Sequence, residues 1–477
     1  MSTRSGFSSR LGFVAAAAGS AVGLGNIWKF PYETGENGGA AFLFIYLLCT
    51  FLIGFPVMVG EIALGRKAQS NPFGTYNKLG GPNWAYVGLF GVICGVMILS
   101  FYNVVAGWAL AYFFKISFGG LLDGANVSSD FFGAEFTTFV KEVGDNLVIS
   151  LLFMVLTGFI VARGVKKGIE AASKILMPLL IIILVGLILY SLTLNNAMEG
   201  ISFYLKPDFS KVGFDTVYSA MGHAFFSLSL GMGALITYGS YISKKENIIS
   251  SAAIVSVADV GVAFLAGLLI FPLVFSQNVD PGSGPGWVFI TLPGIFAALG
   301  PILGKIIGAT FFLLLSLAAL TSTISLLEVP VSYMVDERNW SRRNAVIVMA
   351  TAIFVIGLAS MLSQGAVPFF TEFLTYGGVQ RDFLTFIEDL FLNIGLPLGG
   401  CLMSIFIAYR WKTHNLTEEI SDGLPGYAGS LMSKFINFML TYIIPVLLGL
   451  MFILTVLSNF FGIDVISMIF GTHSGGH

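Results

Sequence analysis

Several ionisable side chains lie inside strongly apolar stretches of the sequence. They are Lys29, Glu61, Asp259, Glu328 and the adjacent pair Glu388 and Asp389. Burying such a group in hydrocarbon is costly, so each is a candidate for function. Paired carboxylates would suit acid–base catalysis, but no histidine or cysteine accompanies them at a spacing typical of an enzyme. His223 stands alone in its stretch and is more typical of a hydrogen-bonded structural residue.

A run of hydroxyl side chains offers a second kind of chemistry. Residues 321–323 read Thr-Ser-Thr and follow Ala318-Ala319-Leu320 in the middle of an apolar stretch. Hydroxyls in such helices usually bond back to the preceding turn. They are also neutral oxygen ligands, which hard cations prefer. The run alone leaves both interpretations open.

Two glycine-interrupted stretches would bring backbone groups to these side chains. Gly23-Leu24-Gly25-Asn26 lies within residues 9–39, and Gly231-Met232-Gly233 lies within residues 214–242. Because glycine costs a helix interior about 1 kcal/mol relative to alanine, both helices are predicted to unwind there. One such break is equally typical of a kinked helix. Two breaks at corresponding places in two halves of a chain indicate a transporter's binding site, where freed carbonyls suit sodium and opened helix N-termini suit a carboxylate.

The composition is that of an all-α integral membrane protein. The chain has 477 residues, of which 56% are hydrophobic and 10% are charged, against about 25% charged in soluble domains. Apolar runs near 20 residues recur along it, as membrane-spanning helices require. A net charge of −2 gives no reason to expect a nucleic-acid partner. The three cysteines lie in apolar stretches, which argues against a disulfide or a metal site.

Eleven transmembrane helices are predicted from these runs. They lie near residues 10–36, 40–66, 86–117, 146–163, 169–193, 214–242, 248–276, 301–335, 343–361, 383–410 and 431–461. Because five is odd, spans 1–5 and 6–10 would form two blocks of opposite topology, a 5+5 inverted repeat in which helices 1 and 6 are broken. The expected units are residues 1–193, residues 214–410 and one extra peripheral helix at 431–461. Residues 365–378 are predicted to form an outer loop.

The distribution of basic residues predicts the orientation. A cytoplasmic N-terminus places most of the 24 lysines and arginines on the inner side, as the positive-inside rule requires. The C-terminus would then lie outside the cell's inner (plasma) membrane.

Three longer segments resemble a known family. GSAVGLGNIWKFPYETGENGGAAF begins at Gly19, FFSLSLGMGALITYGSY begins at Phe225, and LAALTSTISLLEVP begins at Leu317. Together they resemble the neurotransmitter:sodium symporter family, and the similarity runs from about Arg4 to the end of span 10. The resemblance implies the leucine-transporter fold and sodium-coupled import by alternating access.

Matching positions in this family imply two Na⁺ sites and a substrate site. The first Na⁺ site would use Ala21, Asn26, Ser227 and Asp259; the second would use Gly19, Val22, Ala318, Thr321 and Ser322. The substrate carboxylate would meet the N–H groups of Leu24 and Gly25 and the hydroxyl of Tyr102. The remaining substrate-binding residues would be Ser20, Gly23, Ile98, Phe226, Ser227, Ser229, Met232, Ser322, Thr323 and Leu326, with Phe226 and Tyr102 as the lid.

Two positions bear on what is carried. Monoamine carriers of the family have Asp where this chain has Gly23, so the resemblance implies a substrate that brings its own carboxylate. Apolar walls favour a hydrophobic or aromatic L-amino acid, although carriers of taurine and GABA also have glycine there. Asp259 replaces the Asn of chloride-dependent animal members, which implies chloride-independent transport. A membrane-embedded enzyme and an uncoupled receptor are the alternatives outside transport.

The resemblance also implies two gates. The outer gate would pair Lys29 with Glu388 or Asp389, and the inner gate would use Arg4, Ser240, Tyr241 and Asp336, with Phe7 packed nearby. The expected partners are a small amino acid and the lipid bilayer, and the expected state is a monomer or a weak dimer.

Overall fold

The computed structural model describes residues 6–123, 129–277, 285–465 and 468. Their helices, in chain order, are α1 Arg10–Ala21, α2 Gly25–Glu36, α3 Ala40–Ala68, α4 Pro72–Gly80, α5 Pro82–Ser117, α6 Ser129–Lys141, α7 Val143–Ala162, α8 Val165–Ser191, α9 Ala197–Leu205, α10 Phe214–Ser227, α11 Ala234–Gly239, α12 Ile248–Ser276, α13 Thr291–Ala298, α14 Leu303–Arg338, α15 Arg342–Leu362, α16 Pro368–Thr371, α17 Phe383–Ser421 and α18 Leu431–Phe461. Short 3₁₀ turns occur at Phe209–Lys211 and Pro285–Val288.

Nine helices of the described chain are long and apolar enough to cross a membrane, and α1 with α2 forms a tenth, bent span. The predicted sixth span consists of two short helices, α10 and α11, neither of which meets that length. An all-helical membrane protein with a broken first helix is therefore confirmed, while the count of eleven spans stays a prediction.

The first break follows from the glycines of α1 and α2. The Ser9 hydroxyl caps α1 by accepting from the Gly12 N–H at 3.1 Å, and α1 ends at Ala21. Val22 is extended, with ψ 109°. The two helices are bent by 49° at this point, so carbonyls at the end of α1 lose their helical partners.

The second break separates α10 from α11. Gly231 has a φ of 84°, which favours glycine, and an added Cβ there would also collide with the Leu396 carbonyl. Its N–H donates to Glu61 Oε1 at 2.8 Å. The buried Glu61 thus satisfies a backbone donor that unwinding leaves without a helical partner.

The segment predicted as an outer loop contains regular structure. Strands β1, Leu374–Tyr376, and β2, Val379–Arg381, form an antiparallel hairpin in which Thr375 pairs with Gln380. The Tyr376 ring stacks on Phe460 of α18, with ring centroids 4.6 Å apart. The hairpin thus packs on the last long helix, a contact that the Gly- and aromatic-rich sequence does not reveal.

Candidate functional site

The two breaks face each other across a small cavity. Its lining residues come from both broken helices and from α5, α14 and α17. They are Ser20, Ala21, Gly23, Gly25, Ile98, Tyr102, Phe226, Ser227, Ser229, Met232, Ser322, Leu326 and Leu396. Every one except Leu396 was assigned a role from the sequence. Leu396 lies on α17, outside the segments that carry the resemblance, so no motif pointed to it.

Carbonyl oxygens freed at the end of α1 accept hydrogen bonds from side chains. The Ser229 hydroxyl donates to the Ser20 carbonyl at 2.8 Å. The Thr321 hydroxyl donates to the Val22 carbonyl at 3.2 Å, and that of Ser322 lies 3.4 Å from the same oxygen. Hydroxyls from the other break and from α14 thus converge on the unwound backbone.

A buried polar cluster joins α2, α10 and α12. Asp259 Oδ1 accepts from the Asn26 amide at 2.8 Å and from the Ser227 hydroxyl at 2.7 Å. Its Oδ2 accepts from the Tyr46 hydroxyl at 2.9 Å. Asp259 and Tyr46 are both fully buried. Tyr46 could not be recognised from the sequence, since a tyrosine in an apolar helix carries no distinctive motif.

The donors around Asp259 fit a hard monovalent cation. Among the described residues no lysine, arginine or histidine lies within 4.0 Å of this carboxylate. A buried carboxylate surrounded only by neutral groups is costly unless a cation joins it. One carboxylate with amide, hydroxyl and carbonyl oxygens suits Na⁺, and the described chain holds no group of three His, Cys, Asp or Glu side chains that a transition metal would use.

The second predicted Na⁺ set lies where α1 meets α14. The Thr321 hydroxyl lies 2.9 Å from the Ala318 carbonyl as well as near Val22. A Cβ added to Gly19 would lie 3.3 Å from Thr321 Cβ, so the two helices approach closely here. Val22, Ala318, Thr321 and Ser322 therefore bring neutral oxygens together, and Gly19 packs beside Thr321.

The end of the cavity beside Gly23 is shaped to exclude a side chain. A Cβ added at Gly23 would collide with the Ser322 hydroxyl and lie 2.8 Å from the Tyr102 hydroxyl. The Leu24 N–H donates to that Tyr102 oxygen at 3.0 Å, which leaves the tyrosine proton for another acceptor. This end can receive a small anionic group next to Tyr102.

Thr323 does not line the cavity. Its hydroxyl lies 2.8 Å from the Thr157 hydroxyl of α7 and 3.0 Å from the Leu320 carbonyl. Thr323 was predicted to contact the substrate, but it instead joins α14 to α7. The helical twist turns its side chain away from that of Ser322.

Comparison with known proteins identifies the family. The sodium:neurotransmitter symporter family matches residues 4–138 and 121–463 of the chain. The chain belongs to this family. Two similar proteins are an uncharacterized sodium-dependent transporter, YhdH, of Bacillus subtilis, 37% identical over 94% of this chain and 96% of that one, and one of Haemophilus influenzae, 32% identical over 94% and 98%.

A solved structure of this family is also similar. The crystal structure of MhsT in complex with L-phenylalanine aligns with a TM-score of 0.84 and 43% identity, over 94% of this chain and 99% of that chain. The family predicted from sequence is confirmed: the chain is a sodium-dependent transporter and not an enzyme.

On one side of the cavity, Glu388 and Asp389 have different surroundings. The sequence left open which of the two acids faces Lys29. Lys29 and Glu388 line a neighbouring cavity above Phe226, although they form no ion pair within 4.0 Å. Lys29 Nζ lies 5.6 Å from the Phe226 ring centroid. Lys29 and Glu388 thus share one cavity without pairing, and the outer gate stays a prediction.

Asp389 has different partners and is held away from Lys29. It accepts from Tyr376 at 2.8 Å, from Asn393 at 3.0 Å and from Asn459 at 2.9 Å. Burial and the neighbouring Asp389 raise the pKa of the Tyr376 hydroxyl, which therefore stays protonated and donates. Asp389 joins α17 to the hairpin and to α18.

On the opposite side, the central contact joins Tyr241, which was predicted for the inner gate, to two residues that were not. The Tyr241 hydroxyl donates to Glu328 Oε1 at 2.6 Å, and the Arg342 guanidinium pairs with the same carboxylate. Glu328 is fully buried. The sequence marked Glu328 as a buried acid but gave no partner, because Arg342 lies on the next helix.

The other predicted residues of the inner gate make contacts of their own. The Asp336 carboxylate accepts from the Asn71 N–H at 2.9 Å, while the Ser240 hydroxyl donates to its own helix at the Thr237 carbonyl. Phe7 packs edge-on against Tyr241 with centroids 6.2 Å apart. Arg4 lies outside the described residues.

A further contact on this side was not predicted from sequence. The Glu170 carboxylate of α8 accepts from the Ser8 N–H at 2.7 Å and from Lys174 at 2.6 Å. It therefore ties the segment before α1 to the start of α8.

His223 was expected to be a hydrogen-bonded structural residue, and its surroundings differ from that expectation. It is buried, yet neither ring nitrogen has a hydrogen-bond partner among the described residues. Its ring packs instead against Phe30 and Tyr46, at centroid distances of 5.6 and 5.3 Å.

Proposed function

We propose that this symporter imports a hydrophobic or aromatic L-amino acid together with Na⁺, by alternating access and without chloride. The observation that carries this proposal is the cavity itself, which has a polar end at Gly23, Tyr102 and Ser322 and further walls that are largely apolar. Ile98, Met232, Leu326 and Leu396 supply those apolar walls. Each buried methylene of a substrate side chain would contribute about 0.8 kcal/mol there.

The backbone at the breaks supports the assignment of the two ends. The substrate carboxylate would meet the start of α2, where N–H groups and the helix dipole favour negative charge. It would also share the first Na⁺ with Asn26, Ser227 and Asp259. MhsT, whose structure holds L-phenylalanine, supports the aromatic class.

Two Na⁺ ions are part of the proposal. The first would bind with Ala21 at the cluster around Asp259, and the second at the junction of α1 and α14. Each charge that crosses 100 mV gains about 2.3 kcal/mol, so two ions with a zwitterionic substrate would gain roughly twice that. Carriage of taurine or GABA is the alternative that Gly23 also permits.

The inverted repeat and the orientation complete the mechanism. We infer units at residues 1–193 and 214–410, a peripheral helix at 431–461, and a cytoplasmic N-terminus with an outer C-terminus. The broken helices, together with α3 and α12, would move against the bundle of α5, α7, α14 and α15 around a fixed site. We infer a monomer or a weak dimer.

Proteoliposomes test the proposal. Radiolabelled L-phenylalanine, L-leucine, taurine and GABA are supplied with an inward Na⁺ gradient, with chloride or with gluconate. Accumulation of the amino acids that stops when an ionophore collapses the gradient is expected. If only taurine or GABA accumulates, the substrate is of that class and not a hydrophobic or aromatic amino acid. Binding without accumulation would contradict the coupling.

A further inference from the structure

The lipid-facing side of the molecule carries a groove that is separate from the substrate cavity. It lies between α7 and α15 and is open along its length. Its apolar walls include Leu151, Val155, Phe159, Ile347, Ala350 and Phe354. Val155, Phe159 and Ile347 are 56%, 55% and 54% exposed. In a membrane such a surface is covered by acyl chains.

The floor and one end of the groove are formed by direct helix contacts. A Cβ added to Gly158 would lie 3.5 Å from Val346 Cγ1, so the helices pack closely along the floor. The Arg342 guanidinium donates to the Val161 carbonyl at 2.8 Å and fixes the end of α7 against the start of α15. The groove therefore has a defined shape.

Two basic side chains lie at that same end, and two more follow in the chain. Arg343 lines the groove, and the Arg163 guanidinium lies 4.0 Å from the Phe159 ring centroid. Lys166 and Lys167 lie in the first turn of α8, and all four are exposed. In the part of the chain that the structure describes, none of the four has a carboxylate within 4.0 Å.

Other basic residues on this side of the molecule are paired with carboxylates, unlike these four. Lys174 pairs with Glu170 at 2.6 Å, and Arg342 pairs with Glu328. The positive charge at the end of the groove is therefore left without a protein counterion. Arginine is well suited to bind phosphate, because its planar guanidinium donates two parallel hydrogen bonds.

We propose that the groove between α7 and α15 binds an anionic glycerophospholipid. Its acyl chain lies along the apolar walls, and its phosphate is held by Arg163 and Arg343. A phospholipid with a choline headgroup brings a fixed cation to the same four positive charges and is bound less tightly. In the orientation proposed above, this end faces the cytoplasm, where anionic lipids attract basic clusters.

Native mass spectrometry of the full-length protein in detergent tests this site. Phosphatidylglycerol and phosphatidylcholine with identical acyl chains are titrated separately, and the bound fraction gives each affinity. Wild type is expected to prefer phosphatidylglycerol. The double variant Arg163→Gln/Arg343→Gln should bind it roughly 30-fold more weakly, at about fivefold for each charge removed.

Two further variants separate charge from shape. Lys245→Gln/Lys434→Gln removes two exposed basic residues elsewhere and should leave the affinity for phosphatidylglycerol near the wild-type value. Ala350→Phe fills the groove without changing its charge and should weaken the binding of both lipids. Melting temperatures measured in NaCl check that each variant is folded.

Three results would overturn the proposal. Equal affinity of wild type for the two lipids would show that the charge of the headgroup does not contribute to binding. An equal loss in both double variants would indicate general surface charge. A dimer that Ala350→Phe dissociates, with lipid binding unchanged, would show that a second copy of the chain covers the groove.

Discussion

The Asn26 side-chain amide donates to both the carboxylate and the main-chain carbonyl of Asp259, at 2.8 and 3.0 Å. The two residues are 233 positions apart and are fully buried. The contact links the first broken helix to α12 near the cavity between the two breaks. Because Asp259 has no basic partner among the described residues, its negative charge is available to a bound cation.

Replacing Asp259 with Asn should create or strengthen a requirement for chloride. The substitution keeps the size of the side chain but removes the fixed negative charge beside the first proposed Na⁺ site. Uptake by the variant is measured with chloride or gluconate as the anion, and wild type should be insensitive to this exchange. If the variant transports equally well in gluconate, the charge of Asp259 does not replace chloride.

Adding one methyl group at Gly23 should abolish most substrate binding. The new Cβ would collide with the Ser322 hydroxyl and crowd that of Tyr102. Overpacking costs about 1–3 kcal/mol, which corresponds to about a 5- to 150-fold loss of affinity. Gly186→Ala is the matched control, since no atom lies within 4 Å of the Cβ it adds. Equilibrium binding of L-phenylalanine checks both variants, and equal affinities would contradict the placement of the carboxylate.

The breaks and the cavity could be predicted because they depend on residue types with strong local preferences. Gly23 and Gly231 weaken their helices, and the residues flanking them then face the cavity. Thr323 could not be placed in this way. A rotation of about 100° per residue separates its hydroxyl from that of Ser322, and tertiary packing decides which of them faces the cavity.

Replacing Thr321 with Val should raise the Na⁺ concentration needed for transport. The variant keeps the branched shape but removes the hydroxyl that lies near the Val22 and Ala318 carbonyls. Loss of one ligand at the second proposed site should shift half-saturation about tenfold, equivalent to about 1.4 kcal/mol. Thr310→Val, on the same helix, is the control, because among the described residues its hydroxyl bonds to the Ile306 carbonyl alone. Na⁺ titration of uptake measures both; an unchanged Thr321→Val curve would argue against this site.

Replacing Glu328 with Gln should destabilise the side of the molecule that holds Tyr241. The change leaves the partly buried Arg342 without its counterion. Breaking a buried ion pair costs about 3–5 kcal/mol, and Gln should fall at the lower end because it keeps one hydrogen-bonding oxygen. We expect a melting temperature several degrees lower and slower uptake.

Two comparisons make the Glu328 result specific. Glu418→Gln removes an exposed carboxylate and should have no effect. The double variant Glu328→Gln/Arg342→Gln should recover part of the stability, since no uncompensated charge then remains. A double variant less stable than the sum of the single changes would show that the ion pair is not the cause.

Contacts between distant segments limited what the sequence could predict. Asp389 accepts hydrogen bonds from Tyr376 of the hairpin and Asn459 of α18. No sequence motif indicates that these three residues are in contact. Glu328 was visible as a buried acid, but its partners depend on how α14, α15 and the end of α11 pack. Local motifs therefore indicated the substrate cavity, while the contacts on either side of it required the structure.

Binding of radiolabelled L-phenylalanine to purified protein in NaCl, sodium gluconate, KCl and choline chloride tests the central claim most directly. The claim is that the two broken helices hold Na⁺ and the substrate carboxylate together beside Asp259. It predicts saturable binding in both sodium media and none above background in potassium or choline. Equal affinity in KCl and NaCl would contradict it.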